Sequence, residues 1–188
     1  MEKRHRIFVA INLPEGIKKE LARYSEKWPE LPAKWTAKDN LHITLEFMGD
    51  MTDVELGDVC KVVSEVAGRH KPFSLDLNKI VYGPPKKMPP KMVWAEGEKS
   101  DELADLKEDL QECLLEQIRF RPDEKGFTPH ITLARITEWA FKQIEPEERP
   151  EISEDIDLSF YAESIEVMES ELKRGGPVYN IIESHNLQ

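Results

Sequence analysis

Hydrophobic and polar positions change rhythm several times along the chain, and each change marks an element. Residues 4–12 carry an almost unbroken apolar run, Ile7-Phe8-Val9-Ala10-Ile11, the pattern of a buried strand. After Leu13-Pro14-Glu15 the apolar positions fall at Ile17, Leu21, Tyr24 and Trp28, a helical spacing with proline just inside the start. Pro29 and Pro32 end that helix, and 34–36 reads as a short strand. Two-residue alternation follows at 41–47, with a turn expected at Gly49-Asp50. Val59, Val62, Val63 and Val66 form the inward face of a second helix, capped by Thr52 or Asp53 and stopped by Gly68 and Pro72. Strands are expected at 73–77 and at 91–96, with 79–82 either continuing the first or pairing with it and the proline-rich loop 83–90 before the second. Leu103, Leu106, Leu110, Leu114 and Ile118 make the stripe of a third helix, capped by Ser100 or Asp101. A turn at 123–126 leads to a strand at 129–135. The acidic stretch 138–150 reads as a short helix and loop, and strands follow at 158–160, 164–170 and 179–182. His70 sits at a helix C-terminus, where positive charge is favoured. His5 and His185, near the chain ends, read as exposed bystanders. Strands and helices interleave in both halves, so the chain is α+β with the outline of an internal duplication.

One alternating segment occurs twice. His42-Ile43-Thr44-Leu45 returns as His130-Ile131-Thr132-Leu133. On a strand, residues i and i+2 share a face, so each copy presents a histidine beside a threonine and turns its apolar pair the other way. Two complete copies in a chain with five histidines are a far stronger signal than one. Imidazole titrates near neutrality, so a pair can supply a base and an acid in one step. A threonine hydroxyl donates to a phosphoryl oxygen without adding charge. The chemistry that fits is attack on a phosphodiester with in-line displacement of a bridging oxygen.

Composition narrows the partners. Net charge is −11, from 26 basic and 37 acidic residues, which argues against a clamp on long duplex nucleic acid. It allows recognition of one terminal nucleotide by a few local groups. Cys60 and Cys113 lack metal-ligand spacing and read as reduced side chains. The histidines and carboxylates show no metal-site pattern, so neither a metal nor another cofactor is expected. No apolar run suits a membrane span and no signal core follows the charged start, so a cytoplasmic enzyme without an obligate protein partner is expected.

The chain also resembles a known family nearly end to end. The residues that carry the likeness are Arg6-Ile7-Phe8-Val9-Ala10-Ile11 and Trp35 leading to Asn40-Leu41-His42-Ile43-Thr44-Leu45-Glu46-Phe47-Met48-Gly49. Met92-Val93-Trp94, Phe127-Thr128-Pro129-His130-Ile131-Thr132-Leu133-Ala134-Arg135, Ser170-Glu171-Leu172 and Gly176-Pro177-Val178-Tyr179 continue it. It is similar to the two-histidine (2H) phosphoesterases, and among them to the RNA 2′,3′-cyclic phosphodiesterases formerly called 2′-5′ RNA ligases. The resemblance implies one domain over 1–188 with two pseudo-symmetric lobes, holding the motifs 42–45 and 130–133. Two antiparallel-rich sheets should face each other across a V-shaped cleft, with helices outside and strands exchanged between halves. It implies hydrolysis of RNA 2′,3′-cyclic phosphate ends to 2′-phosphates, with His42 as proton donor, His130 as proton acceptor, and Thr44, Thr132 and Arg135 on the phosphate. RNA 3′ ends or small nucleotides would be the substrates. From the residues alone the two histidine roles are interchangeable. A related 2H activity on another cyclic or 2′-5′ substrate, reversible ligation of tRNA halves and a non-catalytic RNA-end-binding module stay open. Arg135 carries a geometric condition: strict alternation points it away from His130 and Thr132, so it reaches the phosphate only if the strand ends or bulges near Ala134. Phe8, Trp35, Tyr82 and Phe127 are aromatic candidates for stacking on a base.

Overall fold

The computed structural model describes residues 3–122 and 126–188. The apolar run forms strand β1 (His5–Asn12), followed by helix α1 (Glu15–Ala22). The expected helix does not run on to Trp28. From Arg23 to Glu26 it tightens into a 3-10 turn, where the Ser25 hydroxyl donates to the Ala22 carbonyl. This turn delivers Trp28 into a stack between Tyr24 and Trp35. Trp35 lies on the short strand β2 (Ala33–Trp35).

Strand β3 (His42–Met51) is longer than expected. Gly49 does not turn the chain. It takes a φ of 78° inside the strand, and the ladder with β1 passes from Phe8–Phe47 to Ile7–Gly49, leaving Met48 as a bulge. Helix α2 (Asp53–Ala67) starts with a capping box in which the Thr52 hydroxyl takes the Glu55 amide and the Glu55 carboxylate takes the Thr52 amide. Of the two alternatives for 79–82, continuation holds: it runs on from 73–77 in one strand, β4 (Phe73–Gly83), with an irregularity between Leu77 and Lys79. Strand β5 (Met92–Gly97) and helix α3 (Asp101–Gln117) follow, the helix capped by the Ser100 hydroxyl. Most of the turn expected at 123–126 lies outside the described residues. Strand β6 (His130–Ile136) and the short helix α4 (Glu138–Lys142) come next. Strands β7 (Ser153–Ala162), β8 (Ser164–Lys173) and β9 (Gly176–Asn186) complete the chain, each extending beyond its expected core.

The strands pair antiparallel in the order β7-β4-β5-β6-β3-β1-β8-β9, with β2 on β6. There are therefore two four-stranded arms, β3-β1-β8-β9 and β6-β5-β4-β7. Each draws strands from both halves of the chain, as strand exchange requires. The arms are not separate sheets: Ile43 on β3 pairs with Ile131 on β6, and this one pair joins them. The first arm curls into a half-barrel. Its far edge returns to its beginning, so that the Asn40 side-chain amide donates to the Pro177 carbonyl at 2.7 Å. On the outer side, α2 and α3 pack together and close over Ile7, Val9 and Ile11 with Val59, Val62, Val63 and Val66.

Two histidines expected at the surface are not there. His5 is 7% exposed, its ring held between Glu169 (2.7 Å) and Asp53 (2.9 Å). Those carboxylates raise its pKa against the opposing effect of burial. The His185 side chain is also largely covered and lies 3.1 Å from Glu183. His70 meets Asp109 at 2.8 Å, so a carboxylate on α3 partners it as well as the helix end. Cys60 and Cys113 are free thiols. Among the described residues no helix is long and apolar enough to cross a membrane, and no group of His, Cys, Asp and Glu side chains is placed to hold a metal ion.

Candidate active site

The two motifs meet at the seam between the arms. Ile43 and Ile131 are opposite one another on antiparallel strands. The register one step either way sets His42 across from Thr132 and Thr44 across from His130. The four side chains therefore make a square on the cleft face, each histidine diagonal to the other. Diagonal neighbours on a sheet stand about 7–8 Å apart at the backbone, room for one phosphoryl group between two imidazoles. Ile43 and Ile131, 2% and 0% exposed, point to the other side and anchor the square.

Both strands show the same burial sequence from the histidine onward: half-buried, buried, half-buried, buried, buried, exposed, buried. Strict alternation fails at the fourth and fifth positions because each strand has a bulge there. In β3 the partners step from Val9–Glu46 to Ala10–Thr44, skipping Leu45. In β6 they step from Val93–Ala134 to Trp94–Thr132, skipping Leu133. The condition on Arg135 is met: the bulge turns it to the face of His130 and Thr132. The same device turns Phe47 to the face of His42 and Thr44.

Each ring is oriented through its Nδ1. His42 Nδ1 lies 2.7 Å from the Asn40 carbonyl and His130 Nδ1 lies 2.8 Å from the Thr128 carbonyl. A carbonyl only accepts, so Nδ1 carries the proton and Nε2 faces the cleft with its lone pair. On His42 that nitrogen is 2.9 Å from the Thr44 hydroxyl, which donates to it. Behind the rings the copies differ. His42 rests against Phe8 (5.0 Å) and the edge of Tyr179 (5.3 Å). His130 stacks on the Trp94 indole at 3.8 Å and 21°. Gly83 makes that seat, since a Cβ there would come within 2.2 Å of the indole.

Burial lowers both pKa values, because desolvation penalises the imidazolium. His42 falls to about 4: burial is the main cause, Lys18, Arg135 and His130 when protonated add to it, and the Asn40 bond opposes it. His130 moves down for the same first reason, with Arg135 contributing and the Thr128 bond opposing. Each ring is thus neutral near pH 7 in the unliganded protein, and Arg135 lies within electrostatic reach of both. Among the described residues no carboxylate pairs with the Arg135 guanidinium; its contact is the Met92 sulfur at 3.7 Å. The Thr132 hydroxyl faces the same sulfur at 4.0 Å.

Thus His42, Thr44, His130, Thr132 and Arg135 come together. The aromatic candidates do not all join them. Phe8 is 3% exposed and lies under His42; Trp35 belongs to the stack with Trp28; the Tyr82 hydroxyl donates to the Pro150 carbonyl; Phe127 sits over Lys107. Four residues of the site have no role assigned from the sequence: Asn40, Trp94 and Tyr179, which only help to carry the family likeness, and Lys18. Lys18 is 7% exposed on α1 and donates to the Asp39 carbonyl beside the histidine strand. A lysine at an inward position of a helix is a readable signal; the other three depend on folding.

A family model described as LigT like Phosphoesterase matches the chain twice, over residues 11–94 and 96–179. The chain belongs to this family of two-histidine phosphoesterases. It is 32% identical over 194 residues to the RNA 2′,3′-cyclic phosphodiesterase of Thermus thermophilus, covering 97% of this chain and 90% of that one. The Methanocaldococcus jannaschii protein of the same name is 28% identical over 178 residues, covering 94% and 98%. A solved structure from Thermus thermophilus superposes with a TM-score of 0.82 at 30% identity, covering 97% of both chains. LigT of Escherichia coli, solved with 3′-AMP, shares the fold at a TM-score of 0.76 and 24% identity, covering 99% of both.

Proposed function

We propose that this protein hydrolyses the 2′,3′-cyclic phosphate at RNA 3′ ends and leaves a 2′-phosphate. The observation that carries the reading is the square of His42, Thr44, His130 and Thr132 built around the Ile43–Ile131 pair. His130 takes a proton from water as the water oxygen bonds to phosphorus. His42 gives a proton to the 3′ oxygen as its bond to phosphorus breaks. The Thr44 and Thr132 hydroxyls donate to the non-bridging oxygens, and Arg135 stabilises the charge that builds on them. His42 must first be loaded with a proton, and the phosphodiester anion favours this by offsetting the surrounding cations. The names of the Thermus and Methanocaldococcus relatives support the same substrate class. In this reading 1–188 acts as one domain of two pseudo-symmetric lobes, on RNA ends or small nucleotides, in the cytoplasm.

The test is product analysis. A short RNA ending in a 2′,3′-cyclic phosphate, incubated with the protein and chelator, is expected to yield a 2′-phosphate. Appearance of a 3′-phosphate, or binding without turnover, contradicts the reading.

A further inference from the structure

Phe47 occupies in the first motif the place that Arg135 occupies in the second: five residues after the histidine, just past the bulge, on the cleft face. Arg135 is suited to a phosphate, whereas Phe47 presents a phenyl ring that is 60% exposed. The register places it in an apolar row across the first arm, Phe47–Phe8–Met168–Ile181. The two middle members are 3% exposed and Ile181 is 48% exposed. The sheet had inward positions for a large apolar side chain, as Met48 shows at 5% exposure, yet the phenyl faces the cleft. Phe8 separates it from the reacting centre, with its ring 5.0 Å from His42 and 6.2 Å from Phe47. Across Phe8 the rings of Phe47 and His42 are therefore up to about 11 Å apart, while five residues of strand at ~3.3 Å each put their backbones about 16 Å apart. The base on the reacting ribose is joined to the cyclic phosphate through one sugar and lies nearer than this.

We propose that Phe47 is a stacking platform for the penultimate nucleobase, the one preceding the cyclic-phosphate nucleotide. The inference rests on the function proposed above and deepens it: the preferred substrate is an RNA end of at least two nucleotides, not a cyclic mononucleotide. Single-stranded RNA ends offer splayed bases to aromatic side chains, and stacking tolerates any base because each has a π-face. A 2′,3′-cyclic end has a neighbour on its 5′ side only, so the occupant is defined. Charge divides accordingly, with the guanidinium on the second arm facing phosphate and the phenyl on the first facing an uncharged ring.

The experiment compares kcat/KM on a nucleoside 2′,3′-cyclic phosphate and on a trinucleotide ending in the same nucleotide. The wild type is expected to prefer the trinucleotide. Phe47→Ala should narrow that preference by roughly tenfold, chiefly through KM, while Phe47→Trp retains it. A trinucleotide lacking the penultimate base should reproduce the loss with the wild type and add little to Phe47→Ala. Equal loss on both substrates assigns Phe47 to the terminal base or to the fold and overturns the proposal, as does no loss on either. Wild-type turnover of neither substrate sinks the functional reading, and this inference with it.

Discussion

The two histidine motifs are the same four residues on strands of the same shape, and they end in different environments. Each has a bulge after the fourth residue, but different contacts hold it. In β3 the residue after the skipped Leu45 is Glu46, 3% exposed, and its carboxylate is paired with Lys107 of α3. In β6 the residue after the skipped Leu133 is Ala134, and the ladder is stitched from outside by the residue that follows β2: the Thr36 amide donates to the Leu133 carbonyl and its hydroxyl to the Thr132 carbonyl. The supports behind the rings differ as well. Phe8 and Tyr179 enclose His42, while the Trp94 face carries His130. An internal duplication can therefore keep a catalytic geometry while its supporting contacts diverge. What must be kept is the direction in which the side chains leave the strand, and a bulge sets that through the backbone.

If both copies serve one reaction, deleting either histidine should be equally damaging. His42→Ala and His130→Ala are each expected to lower kcat on a cyclic-phosphate RNA by about 10²–10⁴-fold, the usual worth of an acid or a base. Near-normal turnover in either variant breaks the two-copy mechanism. The next effect concerns stability. Lys107→Met leaves the Glu46 carboxylate buried without its partner and should destabilise the fold by about 3–5 kcal/mol, read by denaturant unfolding. An unchanged midpoint would mean that the first bulge does not depend on its ion pair.

Arg135→Ala should lower kcat about a hundredfold, the lower end of the range for removing a preorganised donor to transition-state charge. Unaltered kcat would reduce Arg135 to a surface cation. The smallest effect separates the copies by titration. In the free protein the His42 ring should titrate near 4, by NMR, and His130 below its ordinary value. Inorganic phosphate should move His42 upward. Because the unfolded His42 titrates near 6.5 and the folded one near 4, the unfolded chain binds more protons between those values. Folding stability should therefore fall as pH drops through that window, and His42→Gln should flatten the fall. A midpoint for His42 at or above 6.5 contradicts this.

Much of the fold was readable in advance because the cues are local. The valine face and Thr52 cap of α2, the leucine stripe of α3 and the alternation at both motifs each sit within one helix or one strand. Elsewhere a long-range partner overrules a local preference. Gly49 signals a turn, yet pairing with Ile7 carries the strand through it. His5 looks like an exposed terminal residue until α2 and β8 bring Asp53 and Glu169 to it.

The sequence by itself determined that two histidines and two threonines would leave their strands on one face, because alternation is a property of a single extended chain. Only the tertiary structure decided that the strands lie side by side with Ile43 opposite Ile131, which turns two separate pairs into one square. It also decided that the bulges bring Arg135 and Phe47 to the cleft. A bulge is a mismatch between two strands, and no residue in either strand records it alone.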